Sequence, residues 1–410
     1  MGDGHTQGID RILRAAGDET ADLIGSIVEA AKDHLEADIG FLAEFRGESK
    51  VIRRAAGDGA TVGLQEGTSL PLQETYCHRV VRGELPNVVG DARSDARVKD
   101  LGITRQLKIG AYIGVPVTLP GGRVFGTLCC INHEPDPTIQ RRDVKFMRVL
   151  ADLVARQLDR HEQAEARRQE ALDRIRAVIA DGGPNMVFQP IVDLASREIV
   201  GAEALARFEH EPRRSPDRWF AEAWDVGLGV ELEMTAVAAA LARLPQIAGG
   251  VYVSVNVSPE TLCAPAFLGS LAAAPAGRVV VEVTEHAAVE KYAPLTEAIA
   301  RLKDRGIRLA VDDVGAGYSG LSHILRIAPD LVKLDVSLTR GIQGDPAKQA
   351  LASAAVNFAS RLRVSIVAEG VETAQDAEAL RVLGVRYGQG YHFARPGPLP
   401  LRVASAAAPD

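Results

Sequence analysis

The sequence predicts an α/β protein in which an α+β domain is followed by a long linker helix and a C-terminal (β/α)8 barrel. Three observations carry this prediction. Eight short β-rich runs alternate with helical stretches after Pro184, as in the repeated βα units of a parallel sheet. Neither proline nor glycine interrupts residues 140–181, which predicts one long helix there. The 410 residues suffice for a barrel of about 220 residues and a smaller domain.

The elements of the first domain, expected over residues 1–160, follow from the spacing of apolar side chains. Residues 9–34 repeat them every three or four positions, which predicts a helix, and residues 39–44 form a strand-like run. Residues 111–119 and 124–131 flank Pro120-Gly121-Gly122, whose two glycines can take the positive φ of a tight hairpin. Strands and helices therefore mix, which is typical of an α+β domain.

The linker helix, assigned to residues 161–181, extends a helical pattern that begins near residue 140. Its middle, residues 159–170, is polar, which argues against a strong coiled coil. Two interpretations of this helix therefore remain: a solvated tether, and a parallel dimer helix that carries a signal. The TIM-like barrel is expected over residues 182–403, with a disordered tail at 404–410. Its strands are predicted at 187–192, 198–204, 251–257, 279–283, 308–312, 331–334, 364–368 and 386–389, and its helices at 232–244, 294–305, 347–362 and 374–383.

Composition excludes several classes of protein. The net charge of -7 is spread along the chain without a basic stripe, so we expect neither nucleic acid nor a membrane surface as a partner. No apolar run reaches about 18 residues, which predicts a cytoplasmic protein that is neither exported nor membrane-spanning. The four cysteines include no CxxC pair, so neither a zinc site nor a disulfide is expected.

Polar side chains occur at the end of nearly every predicted barrel strand. They are Glu203, Asn256, Glu282, Asp312, Asp313, Lys333, Glu369 and Gln389. The carboxyl ends of barrel strands meet at one face, so one cleft would hold five carboxylates. A single carboxylate such as Glu282 would more simply be a surface or capping residue, but the succession of strand ends favours a shared site.

Carboxylates packed this closely need cations to neutralise them. A ligand set made only of oxygen atoms selects Mg²⁺ or Mn²⁺ over zinc or copper. The adjacent pair Asp312-Asp313 suggests a carboxylate shared by two ions, an arrangement suited to in-line displacement at phosphorus. Lys333 and Arg207 could position the attacking water or hold phosphate oxygens. The predicted reaction is therefore hydrolysis of a phosphodiester.

These motifs resemble the EAL family of cyclic di-GMP phosphodiesterases over about residues 175–396. The matching stretches are Phe188-Gln189-Pro190-Ile191-Val192, Glu203-Ala204-Leu205-Ala206-Arg207-Phe208, Asn256-Val257-Ser258, Glu282-Val283-Thr284-Glu285, Asp312-Asp313-Val314-Gly315-Ala316-Gly317-Tyr318-Ser319, Lys333-Leu334-Asp335, Glu369-Gly370-Val371-Glu372-Thr373 and Gln389-Gly390-Tyr391. An isolated Glu-Ala-Leu triplet would be uninformative. The ordered set over more than half of the chain is specific.

The resemblance implies a role for each matching residue and two Mg²⁺ or Mn²⁺ ions per active site. Glu203, Asn256, Glu282 and Asp312 would hold the first ion, and Asp312 and Asp313 would be shared with the second. Glu369 would activate water or ligate the second ion, and Lys333 would orient water. Gln189, Leu205, Arg207, Asp335 and Gln389 would contact the substrate, and Glu285 and Glu372 would support the loop after Asp313. Val314 and Gly320 depart from the Phe and Ser usual in the family, which bears on regulation and turnover rate.

The N-terminal domain, over about residues 23–160, resembles a GAF domain, a fold that senses small molecules. The matching stretches are Tyr76-Cys77-His78-Arg79-Val80, Val89-Gly90-Asp91, Ala111-Tyr112-Ile113-Gly114-Val115-Pro116-Val117 and Gly126-Thr127-Leu128-Cys129. The resemblance implies a small-molecule ligand of unknown identity. Cys77-His78 is similar to the bilin attachment site of phytochrome-like GAF domains, but an ordinary core or pocket cysteine is favoured.

The sequence is compatible with three functions. The first is an active phosphodiesterase that converts cyclic di-GMP to linear pGpG under GAF control in a homodimer. The second is a cyclic di-GMP receptor without significant turnover, against which the complete set from Glu203 to Gln389 argues. The third is a barrel enzyme of other chemistry. No GGDEF-like segment lies between the linker and the barrel, so synthesis of cyclic di-GMP is not expected.

Overall fold

The computed structural model describes residues 18–272, 274–284, 292–314 and 327–403. The chain divides after Arg167 into two units, residues 1–167 and 168–410. The division falls inside the long helix, and each unit has its own apolar core. Within the described ranges, no helix combines the length and the apolar composition needed to cross a bilayer.

The first unit is built on a six-stranded antiparallel sheet in the order β3-β2-β1-β6-β5-β4. Its elements are α1 (Asp18–His34), β1 (Ile39–Arg46), β2 (Ser49–Gly57), β3 (Ser69–Pro71), α2 (Tyr76–Val81), β4 (Val88–Val89), α3 (Gly102–Gln106), β5 (Ala111–Thr118) and β6 (Val124–Asn132). The predicted α+β domain is thus confirmed, although residues 9–17 of the predicted first helix lie outside the described residues. In the β5–β6 hairpin only Gly122 takes a positive φ, of 82°, and Gly121 does not.

The long helix α4 (Arg141–Ala180) is continuous over 40 residues, as the sequence predicts. Its first half contributes Met147, Val154 and Leu158 to the core of the first unit. Its last turns contribute Ile175 and Val178 to a cluster of the second unit around Trp219. The helix is therefore anchored by apolar contacts at each end, while its polar middle lies in solvent.

The second unit is a closed barrel of eight strands, which confirms the predicted number and order. The strands are β7 (Asn185–Asp193), β8 (Ile199–Arg207), β9 (Tyr252–Asn256), β10 (Val279–Thr284), β11 (Arg308–Val314), β12 (Leu331–Leu334), β13 (Ser365–Ala368) and β14 (Tyr387–Gly388). The described helices are α5 (Pro216–Asp225), α6 (Gly229–Leu241), α7 (Pro259–Cys263), α8 (Phe267–Ser270), α9 (Tyr292–Asp304), α10 (Val336–Thr339), α11 (Pro346–Leu362) and α12 (Ala374–Val382).

The expectation of an entirely parallel sheet is wrong for β7, which runs antiparallel to both β8 and β14. A parallel neighbour needs a crossover connection, whereas residues 194–198 between β7 and β8 suffice only for a hairpin. Asp193 stabilises this turn by accepting hydrogen bonds from the backbone N–H groups of Ala195 and Ser196. Because β7 is reversed, Gln189 in its middle lies opposite Glu203 of β8.

Candidate active site

An apolar layer inside the barrel fixes the direction of the polar side chains. This layer includes Ile191, Tyr252, Val280, Ala310, Leu331 and Val367. Side chains two positions apart on a strand point to the same face. Glu282, Asp312, Lys333 and Glu369 each follow a member of this layer by two positions, so they extend it with a polar layer. On β8 the equivalent position is Gly201, where a Cβ would lie 2.3 Å from the ring of Tyr252.

Lys333 is at the centre of this polar layer, with its side chain 2% exposed. Its Nζ lies 2.6 Å from Glu369, 2.7 Å from Glu282, 3.3 Å from Asp312 and 3.4 Å from Glu203. Burial alone would lower the pKa of Lys333, but these carboxylates, led by Glu203, raise it well above its usual value. The lysine is therefore a permanent cation that draws four acidic strand ends together.

The carboxylates have different electrostatic environments. Burial raises the pKa of Glu282 to about 8, against the opposing charge of Lys333 and with a contribution from Glu203. Burial likewise raises the pKa of Glu369 to about 7. Burial would also raise the pKa of Glu203, but Lys333 and two amides hold it below its usual value. Its Oε1 accepts from Asn256 at 2.9 Å and its Oε2 from Gln389 at 2.5 Å.

The donor set fits a divalent cation. Oxygen atoms of Glu203, Glu282 and Asp312 lie within 4.8 Å of one another. Lys333 alone does not compensate the four acidic groups, because the pKa values of Glu282 and Glu369 stay raised beside it, and a hard cation would stabilise their ionised forms. Within the described part of the chain, Gln389 also has a buried Oε1 with no hydrogen-bond partner. These observations support the predicted site for Mg²⁺ or Mn²⁺ and leave the choice between the two open.

The polar layer opens into a cleft of about 390 Å³, called the acidic cleft below. Its lining includes Gln189, Glu203, Leu205, Asp312, Val336, Arg340, Glu369, Gly370, Glu372, Gln389, Gly390 and Tyr391. Gly370 takes a φ of 58°, and a Cβ there would lie 2.3 Å from Val336. Thr339 donates a hydrogen bond to the backbone oxygen of Glu369, which ties α10 to the end of β13. The cleft is therefore closely packed on the side of Glu369.

A second cavity, of about 520 Å³, adjoins the first. Leu205 lines both, and Asn256 and Arg207 line the second together with Asp217 and Phe220 of α5. Arg207 is exposed and donates to the backbone oxygen of Ala206 at 2.7 Å. Arg207 thus lies beside the acidic cleft rather than within its lining, on a surface large enough for a substrate to extend along it.

Some predicted site residues lie elsewhere. Asp335 is the N-cap of α10, where its carboxylate accepts from the backbone N–H of Ser337 at 2.9 Å, and it lines neither cavity. Glu372 forms an ion pair with Arg340 at the rim of the acidic cleft. The backbone of Asp313 belongs to β11, but its side chain lies outside the described part, as do Glu285 and the loop containing Gly320.

Three residues near the site have no role in the sequence prediction. Arg340 lines the cleft and pairs with Glu372, and Tyr391 is 53% exposed at the rim with the guanidinium of Arg395 4.2 Å from its ring centre. Glu233 accepts from the backbone N–H of Ser258 at 2.8 Å, which braces the connection after Asn256. Tyr391 could have been found because it follows Gln389-Gly390 directly. Arg340 directly follows α10 and Glu233 lies on α6, and neither has a comparable signal in the sequence.

The fold and site define an α/β barrel with an oxygen-donor metal centre at the carboxyl ends of its strands. Residues 172–396 match the family model of the EAL domain, and residues 19–158 match that of the GAF domain. The chain belongs to the EAL family and carries an N-terminal GAF domain.

Individual relatives are similar to between 52% and 60% of this chain. Rv1357c of Mycobacterium tuberculosis, an uncharacterised protein, is 32% identical over 52% of this chain and 75% of its own length. Cyclic di-GMP phosphodiesterase RocR of Pseudomonas aeruginosa is 29% identical over 60% of this chain and 65% of RocR. The solved structure of the PaMucR phosphodiesterase with c-di-GMP is 26% identical, with a TM-score of 0.51 over 56% of this chain and 98% of that one.

Proposed function

We propose that the barrel hydrolyses cyclic di-GMP to linear pGpG with two divalent ions, Mg²⁺ or Mn²⁺. The observation that carries this proposal is the buried group of four carboxylates around Lys333 at the carboxyl ends of the strands. RocR is a cyclic di-GMP phosphodiesterase, and the PaMucR phosphodiesterase was solved in complex with c-di-GMP. Both similarities support cyclic di-GMP as the substrate. We assign the metal ligands as Glu203, Asn256, Glu282, Asp312, Asp313 and Glu369. When bound, the ions would neutralise phosphate charge and lower the pKa of the attacking water.

The protein's own groups would hold and deprotonate the reactants. Water attacks phosphorus while Glu369 accepts the proton that the water loses. The bond from phosphorus to the ribose 3′-oxygen breaks, and that oxygen takes a proton from solvent to become the 3′-hydroxyl of pGpG. Lys333, 2.6 Å from Glu369, fixes the direction of that carboxylate. Gln189 and Gln389 hold the substrate in the acidic cleft, while Leu205 and Arg207 contact it beside Asn256. Asp335 contributes by holding α10 through its cap rather than by direct contact.

The purified full chain should convert cyclic di-GMP to pGpG when Mg²⁺ or Mn²⁺ is present and should be inactive in a chelator. Ca²⁺ should inhibit, because it is larger and takes more ligands in a looser geometry. Chromatography of the nucleotides measures all three conditions. Equal turnover in Ca²⁺ and Mg²⁺ would contradict the proposed tight metal centre, and cyclic di-GMP that binds without conversion would favour the receptor alternative.

We further propose a homodimer in which α4 passes the state of the GAF domain, set by an unidentified small molecule, to the barrel. The loop after Asp313, the predicted end point, lies outside the described residues. The described contacts of α4 lead instead to α5: Arg174 pairs with Glu222 at 2.9 Å, and Arg168 donates to the backbone oxygen of Asp225 at 3.1 Å. Because α5 also lines the cavity beside Arg207, its movement would reach the substrate surface. The cytoplasmic location stays a prediction.

Inserting two residues near Ala164 should uncouple the GAF domain from the barrel, because the helix then turns by about 200°. A seven-residue insertion should largely preserve regulation, since it restores the helical phase to within about 20°. The measurement is the activity of each variant relative to residues 170–410 alone. A coupling of about 1–3 kcal/mol corresponds to a change of about 5- to 150-fold in activity. Identical activity ratios for both insertions would contradict transmission through the helix.

A further inference from the structure

The core of the GAF domain contains a buried lysine. Lys50 of β2 is 1% exposed, and its Nζ lies 4.7 Å from the ring centre of Phe41 and 3.7 Å from the sulfur of Cys77. Among the described residues, no carboxylate forms an ion pair with it. A buried ammonium group needs a compensating partner. The sulfur of Cys77 is placed to be that partner in its thiolate form.

A second sulfur completes the cluster. The Sγ of Cys129 on β6 lies 3.6 Å from the Sγ of Cys77 on α2. The hydroxyl of Tyr112 on β5 lies 3.3 Å from Cys129 and 3.8 Å from Cys77. The two cysteines are 52 positions apart in sequence, so the sheet and α2 bring them together. Both are free thiols in the structure.

The surroundings of the two sulfurs shift their pKa values in opposite directions. The hydrogen bond from Cys129 and the charge of Lys50 outweigh burial and place the pKa of Cys77 well below its usual value. Burial raises the pKa of Cys129, and its contact with Cys77 raises it further. Cys77 therefore has the properties of an attacking thiolate and Cys129 those of a thiol that can resolve an oxidised partner.

We propose that Cys77 and Cys129 form a reversible disulfide when the GAF domain meets hydrogen peroxide, with Lys50 stabilising the attacking thiolate. The Cys77 thiolate attacks one peroxide oxygen, the O–O bond breaks, and the departing hydroxide takes a proton to become water. The sulfur of Cys129 then attacks the sulfenic sulfur of Cys77, and a second water leaves. Each sulfur loses one electron, and the peroxide gains two.

Bond formation requires movement within the core. A disulfide has an S–S length of about 2.05 Å, whereas the two sulfurs are 3.6 Å apart. The short helix α2 carries Cys77 and is held by the hydrogen bond between Tyr76 and Thr104, of 2.8 Å. Because both sulfurs are buried, peroxide must reach them through local opening of this helix. The reaction should therefore be slower than oxidation of a thiol on the surface.

Peptide mapping of the full chain after hydrogen peroxide treatment tests the proposal. We expect a peptide pair joined through Cys77 and Cys129, a loss of two hydrogen atoms per chain, and recovery of both thiols with dithiothreitol. Cys77→Ser and Cys129→Ser should each abolish the joined pair. Cys130→Ser and Cys263→Ser are matched controls that should retain it, because Cys130 packs in the opposite core cluster and Cys263 lies in the barrel. Lys50→Met should slow bond formation about tenfold through loss of thiolate.

Two results would overturn the proposal. One is that Cys263 oxidises fully while Cys77 and Cys129 keep their thiols, and the other is that Cys77 reaches sulfinic acid without a bond to Cys129. A wild-type rate in Lys50→Met would remove the lysine from the mechanism. Peptide mapping of the wild-type chain shows whether the bond between Cys77 and Cys129 forms, even where a core variant fails to fold. Because the readout is the thiols, the result is independent of cyclic di-GMP turnover.

Discussion

Replacing Glu203 with alanine should abolish hydrolysis of cyclic di-GMP. The change removes the carboxylate that accepts from Asn256 and Gln389 and contacts Lys333 at 3.4 Å. Mutation of a residue that only hydrogen-bonds to a metal ligand already lowers metal affinity by about 10- to 100-fold. Loss of a ligand itself should exceed that range. Calorimetric titration with Mn²⁺ and a turnover assay on the same preparation measure both effects.

Glu198→Ala is the matched control for this variant. Glu198 directly precedes β8, at the end of the strand opposite the cleft, and is exposed to solvent. Its removal should leave metal affinity and turnover unchanged. If Glu203→Ala binds Mn²⁺ as tightly as the wild-type protein does, Glu203 is not a metal ligand and the proposed set of ligands is wrong.

Glu369→Gln should lower kcat by about 10²- to 10⁴-fold, the usual contribution of a general base. The amide keeps the shape of the side chain but cannot accept the proton of the attacking water. The backbone of Glu369 is held by Leu334 and Thr339, so the fold around it should survive. Affinity for cyclic di-GMP should stay close to that of the wild-type protein. Rapid-quench kinetics and equilibrium binding separate the two quantities.

The exposed Glu378 of α12 supplies the control, and Glu378→Gln should be indistinguishable from the wild-type protein. Retention of more than about a tenth of the wild-type kcat in Glu369→Gln, a smaller loss than general-base catalysis usually causes, would exclude the residue from proton transfer.

The barrel and most of its acidic site are readable from the sequence because the signals are local. Each βα unit has its own apolar run followed by a polar residue, and strand direction then places Glu282, Asp312, Lys333 and Glu369 together. The sequence does not predict the reversal of β7, because an apolar run does not encode the direction of a strand. The short connection 194–198 was the available indication, since it is too short for a crossover.

Properties that arise from tertiary contacts were not accessible in this way. The helical cap formed by Asp335 depends on where α10 begins, and the pairing of Arg340 with Glu372 depends on how two connections pack. The approach of Cys129 to Cys77 likewise needs the register of the sheet and the position of α2. These features link residues distant in sequence, for which apolar periodicity carries no information.

The most direct test of the metal-dependent hydrolase is a single-turnover experiment on the full chain. Cyclic di-GMP is first bound in the presence of a chelator, and excess Mg²⁺ or Mn²⁺ is then added while the bound nucleotide is followed. We predict that all of the bound cyclic di-GMP becomes pGpG in one exponential phase after metal addition, and that none does in Glu369→Gln over the same time. Bound cyclic di-GMP that stays intact with either metal would contradict the account and identify the chain as a receptor.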